Sequence, residues 1–528
     1  MTKRFNLLDE PWIPVRLASG EVRDVGLSDV FARAGDIVAL AETSPPNLIA
    51  LHRLLLAVTH RALLRSRGVW KDRDRAEWYC NGLPVEGIRD YLENWRERFW
   101  LFHPEFPFMQ VAALADADET RDKAKPWTQI GLDSANGNAP VLFDHSVDSL
   151  PPPIAPAQAI RNLLGFLQFT PGGLVKLIRS ADKAGALANT AAIVPLGTTL
   201  GQTLCLALHP WNRSAEDDRP TWESTPPSII ALAADPRLAT GPNDRYTRLS
   251  RAVLFIADGE TDDIRTIRFA AGLALADDAN APDPMASYRI GVNGPVRLSF
   301  IAGRAIWRDL ASLMPDPAGK DAIPASVLAW AANLKGVLGD ENSQVPVLIA
   351  GLASDQAKLL RWRLECFTLP ADLLLNPDAG LELRQQIRKA DDVYFHLRGI
   401  ASDMVAETMP DPFSKDTRSR ARAIVDGGPC AASYFSTAER ALPDLMAQVA
   451  AEEIDEADTM WRTVLAAAAE SAWQATSRSL GKSVAALRAE AVNQSKLRRL
   501  LRELRGEAAQ EANVKNTSRF TPAEEILP

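Results

Sequence analysis

Residues 5–15 read Phe-Asn-Leu-Leu-Asp-Glu-Pro-Trp-Ile-Pro-Val, an apolar stretch that carries two prolines. Proline cannot continue a helix and is tolerated in a sheet only where its missing N–H is not needed, so residues 12–17 are predicted to form an edge strand. A Ser-Gly turn follows, and residues 21–25 are predicted to return as a second strand. The stretch therefore predicts an N-terminal hairpin that closes a hydrophobic core.

The composition is that of a globular protein with more than one domain. The chain has 528 residues, of which 46% are hydrophobic and 24% are charged. Because a single core stops growing at about 250–300 residues, two or more domains are expected. The formal net charge of −8 argues against a free-standing nucleic-acid binder, which is usually basic. It is compatible with a subunit that touches DNA through local loops while its partners carry the phosphate-binding charge.

The cysteines and the apolar runs bear on metal binding and on location. The four cysteines lie far apart and form no CxxC pair, which excludes a zinc site of the usual spacing and fits a reducing compartment. The N-terminus lacks the apolar segment of a signal peptide, and no apolar run approaches the roughly 18 residues that span a membrane. The sequence thus predicts a cytoplasmic protein with no membrane partner.

The character of the sequence changes near residue 370. The first 370 residues mix helix and strand patterns, whereas Ala, Glu, Arg and Leu dominate the remainder. We predict an α+β fold, with a large mixed α/β N-terminal domain at 1–370, a C-terminal four-helix bundle at 371–510 and a loosely ordered tail at 511–528. The four predicted bundle helices are 380–409, 431–450, 455–479 and 482–509.

Apolar spacing also places several elements within the N-terminal domain. Leucines and other apolar residues that recur near the helical period predict three helices, whereas short β-branched and aromatic runs predict two strands. The predicted helices are 47–64, 85–102 and 157–169, and the predicted strands are 251–256 and 288–292.

The sequence contains no motif of an enzyme that we can identify. It has no GxxxxGK[ST] phosphate loop, no HExxH and no GxSxG. Asp144, His145 and Ser146 are the residue types of a catalytic triad, but three consecutive residues cannot converge as acid, base and nucleophile. His52 and His60 lie too far apart on one helix to share a metal, and both are expected at a core edge or on the surface. We therefore predict no catalytic activity, no metal and no cofactor.

Two segments of the chain are similar to one protein family. Residues 5–15 resemble the opening of the large subunit (CasA) of the type I-E CRISPR Cascade complex. Residues 102–110, which read Phe-His-Pro-Glu-Phe-Pro-Phe-Met-Gln, resemble the second signature of that family in the expected order. The alternative to this family is a cytoplasmic enzyme of unrecognised class with a helical C-terminal domain, which would need a deep pocket lined by convergent polar groups.

The resemblance implies a non-catalytic subunit of an RNA-guided complex. Such a subunit recognises the protospacer-adjacent motif (PAM) of double-stranded target DNA, starts strand separation for R-loop formation and helps to recruit a helicase-nuclease. The implied partners are a guide RNA (crRNA) ribonucleoprotein with backbone and small subunits, the target duplex and that helicase-nuclease. In this arrangement guide pairing reads the sequence, whereas the protein reads only a short duplex element.

The resemblance also implies three DNA-contacting elements, of which a glutamine-tipped hairpin carries over best. Residues 350–360 resemble a glycine-led family stretch that ends in Asn-Gln-Ala. Gln356 takes the wedge position, between Asp355, where Asn is common, and Ala357. A glutamine amide both donates and accepts, so it can cover the exposed edge of a separated base pair. The alternative is a polar turn at the start of a helix.

The second element is a loop of small residues. Family members tend to have glycines here, which lets the backbone approach the floor of the minor groove. In this chain the loop is placed at 185–190, with Ala188, Asn189 and Thr190 as the contact residues. Two alternatives stay open, namely an ordinary surface loop and a shift of the alignment to the Pro-Gly-Gly stretch at 171–173.

The third element, a basic finger, does not carry over. Residues 272–278 read Gly-Leu-Ala-Leu-Ala-Asp-Asp where a lysine is expected. The nearest cations are Arg265 and Arg268, of which Arg268 is the candidate. Because a cation that reaches the groove is part of direct readout, the departure leaves the PAM preference open.

Two further segments are candidates for nucleic-acid contact. Residues 141–146 resemble a family segment whose aromatic residue meets nucleic acid near the 5′ end of the guide, so Phe143, with His145 close by, is a candidate to stack on a base. Burial of Phe143 in the core is an equal alternative. Residues 496–505 place five cations on one predicted helix, either as a solvated face or as a stripe for the displaced DNA strand or an acidic partner.

Overall fold

The computed structural model describes residues 3–133, 150–173, 175–180, 182–212, 214–259, 261–277, 280–301, 303–339, 344–355 and 358–506. The chain divides into two compact units. The first is built from residues up to Ile306 and from Pro315–Leu375, and the second from Trp307–Met314 and from Asn376 onward. The first unit mixes strands and helices and the second is helical, which confirms the predicted fold class.

The described strands of the first unit form antiparallel sheets of two or three strands. Its described strands are β1 (Arg4–Asn6), β2 (Ile13–Leu17), β3 (Val22–Val25), β4 (Ile37–Leu40), β5 (Trp100–Phe102), β6 (Lys125–Pro126), β7 (Ala192–Pro195), β8 (Arg251–Ala257), β9 (Ile264–Ala271), β10 (Tyr288–Gly291), β11 (Gly294–Arg297), β12 (Ala322–Ile323), β13 (Gln344–Asp355) and β14 (Lys358–Pro370). These strands are ordered β1-β5, β3-β2-β4, β6-β9-β8, β11-β10-β12 and β14-β13-β7 in their sheets.

Helix α2 (Pro45–Arg67) has buried side chains from Pro46 to Leu64, and α4 (Val85–Asn94), α5 (Pro156–Phe169) and α8 (Pro242–Thr247) pack against it. Because that helix is covered on every side, it forms the centre of the unit. The helices of this unit are α1 (Leu27–Ala32), α2 (Pro45–Arg67), α3 (Asp72–Asn81), α4 (Val85–Asn94), α5 (Pro156–Phe169), α6 (Leu200–Ala207), α7 (Ile229–Ala233), α8 (Pro242–Thr247), α9 (Ser326–Val337) and α10 (Ala371–Leu375).

The predicted N-terminal hairpin is confirmed, but its first strand is not at an edge. β2 pairs with β3 from Ile13 to Arg16, and it also pairs with β4 on its other side. The prolines do not prevent this, because the β4 pairing begins at Val15 and so lies beyond Pro14. Trp12 is fully buried, and its indole N–H donates to the carbonyl oxygen of Leu7 over 2.8 Å. The hairpin therefore closes the core as expected.

The predicted helix at 85–102 is too long. α4 ends at Asn94, and Trp100–Phe102 form β5, which pairs with β1. Aromatic residues fit a half-buried strand better than a helix surface, and the partner strand lies about a hundred residues earlier in the chain. A local pattern could not reveal that pairing.

The second unit contains six described helices where the sequence predicts four. The extra helix α12 (Lys415–Gly427) is mostly polar and buries only Ala421 and Val425, so it offers almost no apolar periodicity. Pro443 lies in the first turn of a new helix and splits the segment predicted at 431–450 in two. The helices are α11 (Pro377–Glu407), α12 (Lys415–Gly427), α13 (Pro429–Arg440), α14 (Leu442–Ala450), α15 (Ile454–Leu480) and α16 (Val484–Leu504).

Aromatic side chains form the core of the second unit. Trp461 and Trp473 on α15 are buried, as their spacing predicts, and the Trp461 indole donates to the carbonyl oxygen of Gln386 over 2.8 Å. Residues 307–314 add to this core, because Trp307 packs edge-on against Phe435 with ring centroids 6.1 Å apart. The unit thus includes a segment that the predicted boundary at residue 370 leaves out.

Candidate nucleic-acid interface

The small-residue loop at 185–190 is held by main-chain hydrogen bonds to the end of α5. The N–H of Gly185 donates to the Thr170 carbonyl over 2.8 Å, and the N–H of Leu187 donates to the Gln168 carbonyl over 2.8 Å. A Cβ at position 185 would lie 2.5 Å from the Gln168 carbonyl oxygen, so the close approach requires glycine. The loop therefore has a defined path before the chain enters β7.

Only one of the three predicted contact residues in this loop is presented to solvent. Ala188 and Thr190 are buried, and the Thr190 hydroxyl donates to the Ala188 carbonyl over 3.2 Å. Asn189 is exposed and has a φ of 53°, a left-handed conformation that asparagine tolerates better than most residues. Asn189 is thus the side chain of this loop that is able to meet a groove.

The β13–β14 hairpin lies directly beside the small-residue loop. β13 pairs with β7, with Ala350 opposite Ala192, and Gly351 follows next to the loop. A Cβ on Gly351 would overlap the carbonyl oxygen of Thr190, so this glycine permits the hairpin and the loop to touch. Two elements that are far apart in sequence are therefore adjacent in the fold.

The predicted wedge residue follows the end of β13. Asp355 pairs with Lys358 in the hairpin, which makes the alternative of a helix start wrong. Gln356 and Ala357 are the two residues between the strands, and they lie outside the described residues. A register shift between Ala353 and Ser354 interrupts the pairing close to this end.

A buried ion pair joins the two stretches that compete for the role of the small-residue loop. Asp182 and Arg251 have fully buried side chains, and an Arg251 Nη2 lies 2.8 Å from an Asp182 oxygen. Arg251 donates to the carbonyl oxygens of Pro171 and Lys183, each over 2.5 Å, and Asp182 accepts from the Gly173 N–H over 2.5 Å. Burial lowers the pKa of Arg251 to about 10, and Asp182 opposes this shift. Residues 171–173 and 182–183 are therefore adjacent in the fold.

A cavity of about 410 Å³ opens beside Asn189. Arg297, at the end of β11, donates to the Ala186 carbonyl over 2.7 Å and lies 3.5 Å from the Thr190 hydroxyl, so it also supports the loop. Arg297 forms an ion pair of 3.6 Å with Asp277, whose side chain is almost wholly exposed. The charged or amide side chains that line the cavity are Lys183, Asn189, Asp277 and Arg297.

Comparison with known proteins gives the family of this chain. The model of the family described as CRISPR-associated protein Cse1 matches residues 6–482. The chain belongs to this family. It is 35% identical over 517 residues to the CRISPR-associated protein CasA/Cse1 of Thermus thermophilus, and the match covers 95% of this chain and 98% of that protein. The match confirms the predicted relationship to CasA.

Solved structures share the fold of this chain. A structure of Thermus thermophilus CasA (Cse1) has a TM-score of 0.81 and 32% identity, covering 95% of this chain and all of that one. A chain in a structure described as a CRISPR RNA-guided surveillance complex has a TM-score of 0.69 and 20% identity, covering 94% of this chain and all of that one. The similarity extends over both units.

Of the remaining predicted contact residues, the structure describes Arg268, which does not join the loop and hairpin. Arg268 is half-buried on β9, and its guanidinium donates to the carbonyl oxygen of Arg121 over 3.2 Å. Arg265 donates to the carbonyl oxygen of Pro151. Phe143 and His145 lie outside the described residues. Arg268 is therefore engaged in its own sheet, and its proposed role in the groove has no support from its contacts.

The cations at 496–505 are largely paired with acids of the second unit. Lys496 bonds Asp403 over 2.8 Å, Arg499 bonds Glu503 over 2.9 Å, and Arg505 bonds Glu470 over 2.8 Å. These pairs are exposed and contribute about 0–1 kcal/mol each. They favour the alternative of a solvated face over a stripe that binds nucleic acid.

The expectation for the histidines of α2 is wrong, because both are buried in the core. His52 Nδ1 lies 2.9 Å from the Leu48 carbonyl oxygen, and His60 stacks on His209 with ring centroids 3.6 Å apart. Burial lowers the pKa of His52 to about 4 and that of His209 to about 3. Within the part of the chain that the structure describes, no group of three or more His, Cys, Asp or Glu is placed to hold a metal. No helix in that part is long and apolar enough to cross a membrane.

Three residues of the candidate interface have no signal in the sequence. Lys183 and Arg297 are ordinary isolated cations in their local sequences, and Asp277 lies in the segment where a lysine is expected. They come together only because β11 returns to the loop from more than a hundred residues away. A local motif search cannot detect such a group.

Proposed function

We propose that the chain is the non-catalytic large subunit of a CRISPR RNA-guided surveillance complex. In that complex it recognises the PAM of double-stranded target DNA, starts strand separation and helps to recruit a helicase-nuclease. The membership of the Cse1 family and the shared fold with a chain of a surveillance complex support this proposal. The net charge of −8 fits a subunit whose partners carry most of the phosphate-binding charge.

The observation that carries the proposal is the contact between the small-residue loop and the hairpin. A protein that reads a short duplex element and opens the duplex next to it needs both elements side by side. Gly351 meets the main chain of Thr190, which sets this spacing. The side chain able to read is Asn189, whose amide both donates and accepts and therefore suits the minor groove, where A·T and G·C pairs are distinguished by one donor.

The opening step is assigned to Gln356 at the end of the hairpin. Unstacking one base step costs a few kcal/mol, which new contacts in the bent duplex can offset. The long antiparallel pairing from Gln344 to Asp355 against Lys358 to Pro370 forms the arm that carries the wedge. Main-chain pairing with β7 fixes the base of this arm next to the loop. In this proposal the recruited helicase-nuclease cuts the target DNA.

The proposal is tested by assembling the guide complex with and without this chain. Binding is measured with duplex targets that match the guide and carry either a PAM, selected from a randomised library, or a scrambled PAM. We expect the chain to be required for tight duplex binding and for the difference between the two targets. Equal binding with and without the chain, or no dependence on the PAM, would overturn the proposal.

A matched pair of asparagine variants refines this test. Asn189→Gly is compatible with the left-handed backbone, because glycine adopts positive φ without steric cost, but it removes the amide. It should reduce the preference for the PAM while leaving complex assembly intact. Asn212→Gly is the control, because Asn212 is an exposed loop residue outside the interface, and it should leave the preference unchanged. An equal PAM preference in both variants and in wild type would remove Asn189 from the reading role.

A further inference from the structure

The cavity beside Asn189 presents two cations from fixed positions. The main chain of Lys183 is held by the fully buried Arg251, which donates to its carbonyl oxygen over 2.5 Å, while the Lys183 side chain is exposed. Arg297 is held from β11 by its 2.7 Å bond to the Ala186 carbonyl, and its side chain is one-quarter exposed. Both side chains line the same cavity of about 410 Å³. Little ordering of the main chain is needed for them to act together.

Asp277 is the acidic side chain of this cavity, and its position allows it to act as an exchangeable counter-ion. Asp277 lies 3.6 Å from a guanidinium nitrogen of Arg297, and its side chain is 96% exposed. An ion pair of that length and exposure contributes little free energy, so an anion with more charge is able to replace it. A phosphate suits the exchange, because guanidinium groups bind phosphate through two parallel hydrogen bonds and lysine adds a point charge.

We propose that this cavity binds one phosphate of the target DNA duplex, held by Lys183 and Arg297, with Asp277 as the counter-ion that the phosphate displaces. The inference rests on the proposed function. It adds a phosphate contact that would hold the duplex beside the small-residue loop. Phosphate contacts set the position of a protein on DNA without specifying sequence. The site supplies the cationic charge that residues 272–278, where a lysine is expected, do not provide.

The test uses two substitutions that change the local charge in opposite directions. Lys183→Ala removes one of the two cationic side chains that would bind the phosphate. Asp277→Asn removes the competing negative charge without changing the size of the side chain. Each is placed in the assembled guide complex, and duplex binding is measured from about 0.05 to about 0.5 M salt, a range over which one phosphate contact is visible in the slope. Lys482→Ala, an exposed lysine of the second unit, serves as the matched control.

The expected effects follow from counter-ion release. One phosphate contact contributes about 0.9 to the slope of log affinity against log salt, which is about fivefold in affinity at about 0.15 M salt. Lys183→Ala should therefore weaken binding about fivefold and reduce the slope by about 0.9, equally for PAM and scrambled duplexes. Asp277→Asn should strengthen binding, and Lys482→Ala should change neither quantity.

The outcomes separate this inference from the proposed function. A wild-type complex that discriminates PAM from scrambled duplex, combined with no effect of Lys183→Ala, would overturn the phosphate site alone. Loss of affinity in Lys183→Ala without any PAM dependence in the wild type would support the site and overturn the proposed function. A change in the same direction for Lys183→Ala and Asp277→Asn would also overturn the site, because it would show a general disturbance of the loop.

Discussion

The buried pair of Asp182 and Arg251 should be the most sensitive point of the candidate interface. Asp182→Ala removes the acid that faces the buried Arg251 guanidinium, and it also removes the acceptor of the Gly173 N–H. Removal of one partner from a buried ion pair costs about 3–5 kcal/mol, since the remaining charge stays in a medium of low dielectric constant. We expect a loss of that size in the free energy of unfolding of the first unit.

The assay is equilibrium unfolding in urea, with the transition of the first unit followed separately from that of the helical unit. Asp118→Ala is the matched control, because Asp118 pairs with Arg121 at 3.4 Å but is 90% exposed, and it should cost at most about 0.5 kcal/mol. The double substitution Asp182→Ala with Arg251→Met should recover part of the loss, since no uncompensated charge remains. A cost below about 1 kcal/mol for Asp182→Ala would refute the role of this buried ion pair in joining residues 171–173 to residues 182–190.

The buried histidines, the division into units and the net charge give three more expectations. The free energy of unfolding should fall as the pH drops below about 6.5, because the pKa of His52 is about 4 in the folded protein and only the unfolded chain takes up the proton. For His52 alone the loss should reach about 3 kcal/mol by pH 4. Melting of wild type and of His52→Gln as a function of pH checks this. Residues 376–506 should melt cooperatively when expressed alone, but at a higher temperature when 307–314 are fused to them, as calorimetry can show. The purified chain should bind PAM duplex weakly, and nanomolar affinity at physiological salt would contradict that expectation.

Asp218 affects the stability in acid in the opposite direction from the histidines. Burial raises the pKa of Asp218 to about 6, so protonation of this carboxyl stabilises the fold as the pH falls. His209 lies 3.9 Å from Asp218, but burial keeps His209 neutral until about pH 3. His60 also has a pKa lowered well below its usual value. Three buried histidines outweigh one carboxyl, so the net direction is a loss of stability in acid.

Local patterns predict the parts of the fold that depend on short-range spacing. The N-terminal hairpin, the helix at α5, the strand at β8 and the helical second unit all follow from apolar periodicity and turn residues. The interior position of β2 does not follow from local patterns. The two prolines predict an edge strand, but β4 pairs with β2 only from Val15 onward, beyond Pro14. β5 and α12 are also beyond local patterns, since one depends on a distant partner strand and the other has almost no apolar face.

Some parts of the candidate interface can also be predicted from the sequence, and others cannot. The resemblance places the loop and the hairpin, and Gly351 in the sequence is the residue that lets them touch. Burial of Ala188 and Thr190 is not evident from the sequence, because both are small residues that suit an exposed loop equally well. Lys183 and Arg297 become part of the site only through hydrogen bonds to residues that are far away along the chain.

The most direct test of strand opening is the binding of Gln356→Ala complexes to paired and to pre-opened targets. Both targets carry the PAM, and the second is unpaired next to it, so no wedge is needed. We predict that Gln356→Ala assembles normally and weakens binding to the paired target by roughly 1–3 kcal/mol, the order of a lost polar contact at an opened base step. The pre-opened target should be bound nearly as well as by wild type. Equal weakening on both targets, or no effect on either, would contradict the assignment of strand opening to this hairpin.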